Sequence, residues 1–241
     1  MLEHHCMKIF LVFLRLFALQ AVSLLRLEAQ PYSFSMSSAH YRAEGKVANG
    51  NERRCFGAGV ITLYAHGSPT ALQEIRSPNL TFTKMFQDSD SPSVMPDTST
   101  YEGTPIYFDD FNFDGNEDIA VRNGNRGGYG SPSFDVYLFH APRKCFVLHN
   151  NLTKLASENL GMFEIDTKQK RLISRNKSGC CWHLERQYEV ARGNVIRKVF
   201  EEEHDGLSHK GDFVRVTTRQ LVNGRWKTIV KKYSHTDYYQ N

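Results

Sequence analysis

From Ala58 to Lys231 the sequence repeats one pattern: short runs of β-branched and aromatic residues, each followed by a tight-turn signal. Ala58–Ala65 ends at His66-Gly67-Ser68-Pro69, and Leu72–Ile75 can pair back on it. Phe134–His140 faces Cys145–Leu148 across Ala141-Pro142-Arg143-Lys144. Phe163–Ile165 faces Arg171–Ser174, Trp182–Val190 faces Val195–Phe200, and Phe213–Leu221 faces Arg225–Lys231 across Asn223-Gly224. Asn-Gly between two strand-like runs is a strong hairpin signal. No long amphipathic helix separates the runs. The chain is therefore expected to be all-β, an antiparallel meander of hairpins closed as a sandwich, a barrel or a small propeller-like fold. Residues 40–241 are read as this domain, with His40–Ala48 as its first strand, residues 30–39 as a flexible leader and residues 87–104 as a long loop. Glu201-Glu202-Glu203 with Asp205 reads as a solvated strand end.

The N-terminus carries a different signal. Met7-Lys8 precedes Ile9–Leu14, Leu16–Leu19 and Ala21–Leu25, and Leu27-Glu28-Ala29 ends on a small residue. A short basic start followed by an apolar run is a secretory signal peptide, here residues 1–29, with Met1 or Met7 as the start. Arg15 breaks the run, so it cannot supply about 20 continuous apolar residues for a membrane span, and the mature chain offers no transmembrane segment. Cys6 precedes the run and so is not a lipid-attachment cysteine. The net charge of +4 is spread along the chain. That excludes a nucleic-acid-binding arm. In an exported chain the four remaining cysteines, Cys55, Cys145, Cys180 and Cys181, are disulfide candidates. Neighbours on a strand point to opposite faces, so Cys180 and Cys181 are expected to bond different partners more easily than each other. Three connectivities stay open, and one bonded pair with two buried thiols is an alternative.

Two adjacent loops carry the chemistry. Asp110-x-Asn112-x-Asp114-Gly115-Asn116-x-Asp118 places oxygen side chains at every second residue, with a glycine for the turn. Ca²⁺ takes six to eight oxygen ligands in flexible geometry. Asp110, Asn112, Asp114 and Asp118 are the side-chain ligands expected, with Asn116 giving its carbonyl, in a structural site. The loop lies between short strands, Ile106–Phe108 and Ile119–Val121, and resembles the calcium site of integrin-type propeller repeats. The second loop, Asn123 to Pro132, holds four glycines around Tyr129. Glycines free the backbone, and tyrosine suits recognition. Tyr129, with Arg126, Gly128 and Gly130, is the expected partner-binding element. The loop begins five residues after Asp118, so bound calcium is expected to brace it. No nucleophile, base and oxyanion set emerges, which points away from an enzyme.

Three segments taken together, Tyr107–Val121, Gly127-Gly128-Tyr129-Gly130 with Phe134–Phe139, and Ser178-Gly179-Cys180-Cys181-Trp182-His183, resemble a family of periplasmic bacterial proteins. That family contains the immunity protein of a Xanthomonas antibacterial type IV secretion system. The resemblance implies a small propeller-like fold, a calcium site and a periplasmic location. It also implies inhibition of a lysozyme-like peptidoglycan hydrolase by a tyrosine-bearing loop, here Tyr129, entering the enzyme's cleft. A calcium-braced adhesive or glycan-binding module of the cell envelope is the alternative.

Overall fold

The computed structural model describes residues 31–51, 54–83, 103–207 and 213–239. The expected signal peptide and most of the expected loop 87–104 lie outside these. Among the described residues no helix is long and apolar enough to cross a membrane.

The chain is all-β and antiparallel, as the turn-punctuated runs require. The described residues form three meander sheets, none closed into a barrel. The first sheet orders β1 (Tyr32–Ser37), β2 (Tyr41–Gly50), β3 (Arg54–Ala65) and β4 (Ala71–Ser77), with β5 (Phe82–Thr83) also on β3. The second orders β6 (Ile106–Asp109), β7 (Asp118–Gly124), β8 (Ser133–His140) and β9 (Cys145–Leu148). The third runs β10 (Glu164–Asp166), β11 (Arg171–Ser178), β12 (Trp182–Ala191), β13 (Val195–Asp205), β14 (Val214–Val222) and β15 (Arg225–Tyr233). Two short helices, α1 (Asn150–Leu155) and α2 (His235–Tyr239), complete the described part. Among the described residues each sheet consists of sequential neighbours, the unit from which propellers are built.

The second sheet is the middle layer, and the period-2 geometry of strands explains how. Ile106, Phe108, Ile119 and Val121 pack with Ala43, Val47, Ile61 and Leu63 of the first sheet. Tyr107, Ala120, Phe134, Val136 and Leu138 pack on the other face with α1, Phe163 and Leu172. Strand β7 is buried along its whole length.

Two expectations change here. Residues 30–39, expected as a leader, contain β1, which pairs with β2 from Tyr32↔Val47 to Ser37↔Arg42. Phe34 lies over Gly45, its register partner, and a Cβ at position 45 would occupy the space of that ring. The missing side chain of Gly45 is thus what makes room for β1. The alternation of serines with Tyr32, Phe34 and Met36 had concealed a strand inside a polar-looking stretch. Likewise Glu201 is not a solvated strand end. It is buried inside β13 and accepts hydrogen bonds from Arg186, Lys198 and Arg219 on three strands. Burial alone would raise its carboxyl, but these donors prevail and hold it down at about 2.

Phe34→Ala is expected to cost about 3 kcal/mol, the scale for emptying a buried phenylalanine site. Urea denaturation reads this as a lowered midpoint. An unchanged midpoint would mean that β1 adds nothing to the fold.

Candidate metal loop and recognition loop

The acidic loop closes the β6–β7 hairpin, between Asp109 and its register partner Asp118. Aromatic and oxygen-bearing residues alternate along it, so the two kinds separate to opposite sides. Phe111 is fully buried and meets Phe163 edge-on at 5.7 Å, and Phe113 packs against the same cluster. Positive φ at Phe113 (62°) and Gly115 (88°) reverses the chain.

The oxygens turn inward and collect N–H groups. Asp110 accepts from the backbone of Asp114 (3.0 Å) and Gly115 (2.8 Å). Asp114 accepts from the Asn116 backbone (2.8 Å) and side chain (2.9 Å) and from Asn112 Nδ2 (2.9 Å). Asn112 Oδ1 accepts from Asp114 N at 3.2 Å. Asp118 is fully buried and accepts from Phe111 N (2.9 Å) and Phe139 N (2.8 Å). Among the described residues no three His, Cys, Asp or Glu groups are drawn into a formed metal cluster. The donor chemistry still fits a hard divalent cation. Three carboxylates and an amide oxygen alternate around one turn, and each carboxylate keeps lone pairs beyond those the N–H groups take. Asp110, Asn112, Asp114 and Asp118 are the side chains that could hold it, with Asn116 able to offer its carbonyl.

The loop's carboxyl groups are shifted in both directions. Burial raises the Asp118 carboxyl, the two backbone N–H groups lower it, and the charges of Asp114 and Asp110 raise it again, leaving it at about 8. Asp109 is also raised, first by burial. Asp114 is pushed up by burial, but hydrogen bonds from Asn116 and Asn112 outweigh this, and it sits below its ordinary value.

Two further residues of the loop region, neither singled out from sequence, tie it to its neighbours. Glu117 accepts from Ser38 Oγ (2.6 Å) and His40 N (3.3 Å) at the β1–β2 turn. Asn194, at the β12–β13 turn, accepts from Asn112 Nδ2 (3.2 Å), and its carbonyl lies 2.9 Å from His149 Nε2.

The Tyr129 loop sits at the other end of β7. The ends of seven extended residues lie about 20 Å apart, so β7 separates the two loops. The loop has its own supports. Gly128–Gly130 form a 3-10 turn. Gly128 N donates to the Asn159 carbonyl (2.8 Å), Gly130 N to Gly127 O (3.0 Å) and Arg126 N to Ser133 Oγ (3.2 Å). Tyr129 has φ 57° and ψ 27° and is 67% exposed. It does not stand alone: its hydroxyl accepts from Gly179 N at 2.6 Å, and Lys177 Nζ lies 5.2 Å from its ring centre. Arg126 is exposed, with its guanidinium 3.9 Å from Asp135. Asn159, Lys177 and Gly179 escape sequence reading because each acts through the chain fold, from 30 to 50 residues away.

The cysteines are a correction. Cys180 and Cys181 are bonded to each other. The expected opposite-face geometry does not apply, because both lie in the turn between Ser178 and Trp182, outside the paired strands. Cys55 is buried in the first sheet and Cys145 starts β9, and neither is their partner. His183, the second residue of β12, is exposed.

No protein-family profile matches the sequence, and no curated protein matches it. A solved structure described as that of a Xanthomonas type IV secretion system related protein is similar, with a TM-score of 0.61 and 22% identity. The match covers 82% of this chain and 92% of that one. At that identity the likeness establishes a shared fold.

Since Asp118 lies above the ordinary aspartate value of 3.8, it is harder to ionise folded than unfolded. Its contribution to stability is full below that value and is lost as pH rises through about 8. In a chelating buffer the denaturation midpoint should therefore fall between about pH 5 and about pH 8, with a smaller slope in Asp118→Asn. A wild-type midpoint that is flat or rising over this range would contradict the assignment.

Proposed function

We propose that this protein is exported to the periplasm, where it inhibits a lysozyme-like, peptidoglycan-cleaving glycoside hydrolase by presenting Tyr129 to the enzyme's cleft. It acts as a binding protein and not as an enzyme. The observation that carries the reading is a large aromatic, 67% exposed and fixed in a left-handed backbone on a glycine turn. A non-glycine residue held there is costly, and such positions concentrate at functional sites. Rigid presentation lowers the ordering cost of binding. Exposed Arg126 beside it suits a cleft lined by catalytic carboxylates. The shared fold with a protein described as related to type IV secretion fits an immunity role.

In this reading Ca²⁺ binds the Asp110–Asp118 loop as a structural ion and stabilises the domain at the far end of β7. Its loss lowers stability first and inhibition second. The second reading, a glycan-binding module of the envelope, is favoured by the pairing of an exposed Tyr129 ring with Lys177, since a ring and a cation can also hold a sugar.

The test is inhibition of a set of lysozyme-like peptidoglycan hydrolases by the purified protein, with calcium and with a chelator. At least one enzyme should be inhibited. Tyr129→Ala should weaken the inhibition constant by about thirtyfold, the scale of a hot-spot aromatic. An unchanged constant removes Tyr129 from the mechanism. Binding to purified peptidoglycan with no inhibition of any enzyme would favour the glycan-binding module.

A further inference from the structure

The turn between β11 and β12 has no role in the inhibitor reading so far, yet it touches the one residue on which that reading rests. We propose that this turn, Lys177 to Cys181, is a second recognition element. With Tyr129 it forms a single two-loop ridge whose partner is an acidic, cleft-bearing protein surface. The inference rests on the inhibitor reading for the identity of the partner, but not for the existence of the ridge.

Four observations converge. The Tyr129 hydroxyl accepts from Gly179 N at 2.6 Å across 50 residues of sequence, so the two loops are joined at their tips. Lys177 Nζ, 5.2 Å from the ring centre, covers the ring from the same turn. The Cys180–Cys181 bond closes a small ring directly after Gly179, and the Cys181 carbonyl accepts from Gly206 N at 2.8 Å. The turn is thereby stiffened on one side of Gly179 and anchored to the chain beyond β13. Finally, Lys177, Ser178, Gly179 and Cys180 are all exposed. A turn that is rigid, exposed and locked to the presenting tyrosine has the properties of a contact surface.

The geometry also decides how Tyr129 meets its partner. A lone finger would have to break the bond to Gly179 before entering a cleft. A ridge keeps it. Lys177 then supplies positive charge next to the aromatic, which selects a partner with carboxylates at the rim of its cleft. The disulfide positions Gly179 and does not itself react.

The test uses the full protein and three variants: Tyr129→Phe, which deletes only the hydroxyl, Lys177→Glu, and the double variant Cys180→Ser/Cys181→Ser. Hydrogen exchange of the Gly179 amide should speed up by about tenfold in Tyr129→Phe and in the double variant, the scale for losing one hydrogen bond. The global unfolding midpoint should stay in place. Against an enzyme that the wild type inhibits, Lys177→Glu should weaken inhibition by about tenfold and flatten its salt dependence, and the double variant should also weaken it. Unchanged Gly179 exchange in Tyr129→Phe overturns the ridge. So does full inhibition by Lys177→Glu and by the double variant alongside a damaged Tyr129→Ala, an outcome that leaves the inhibitor reading standing. If the wild type inhibits no enzyme, the inhibitor reading falls, and the exchange measurement alone judges the ridge.

Discussion

The acidic β6–β7 loop carries hydrogen bonds to elements of all three sheets, and the buried Asp118 carboxyl is its centre. One oxygen of Asp118 holds Phe111 N inside the loop, and the other holds Phe139 N on β8. Glu117 reaches the β1–β2 turn of the first sheet, and Asn112 reaches Asn194 on the third. The price is a concentration of negative charge around one buried carboxyl. Asp118 bears it as a carboxyl raised to about 8. A bound divalent cation, as proposed, would remove that conflict while keeping every tie, since the same oxygens can accept N–H groups and ligate an ion.

Strand β7 then divides the labour. It is buried throughout and carries the acidic loop at one end and the Tyr129 loop at the other. The two ends can be altered separately, because their supports differ. Asp118, Glu117 and Asn112 serve one end, and Asn159, Ser133 and Gly179 serve the other.

Much of this plan was legible in the sequence, for reasons that can be named. Hairpins announce themselves through local signals, and β9, for example, matches the run Cys145–Leu148. The acidic loop was legible because its ligand-type residues are contiguous. What was not legible depended on neighbours distant in sequence. Serines in β1 concealed a strand that needs Gly45 opposite Phe34. Glu201 looked solvated because Arg186 and Arg219 come from adjoining strands. Cys180 and Cys181 misled because strand geometry was assumed for residues that lie in a turn. The distance between the two loops was hidden because sequence proximity along an extended strand is not spatial proximity.

The central claim is that the loop around Asp118 is built for a divalent cation, and calorimetric titration of the metal-free protein with Ca²⁺ at about pH 7 in buffers of different ionisation enthalpy tests it most directly. With Asp118 at about 8, most of it is protonated before the ion arrives. Binding must then release a proton, so the account predicts one Ca²⁺ per chain and a heat that changes with the buffer. Absence of binding, or binding that survives intact in Asp110→Asn/Asp118→Asn, would contradict it.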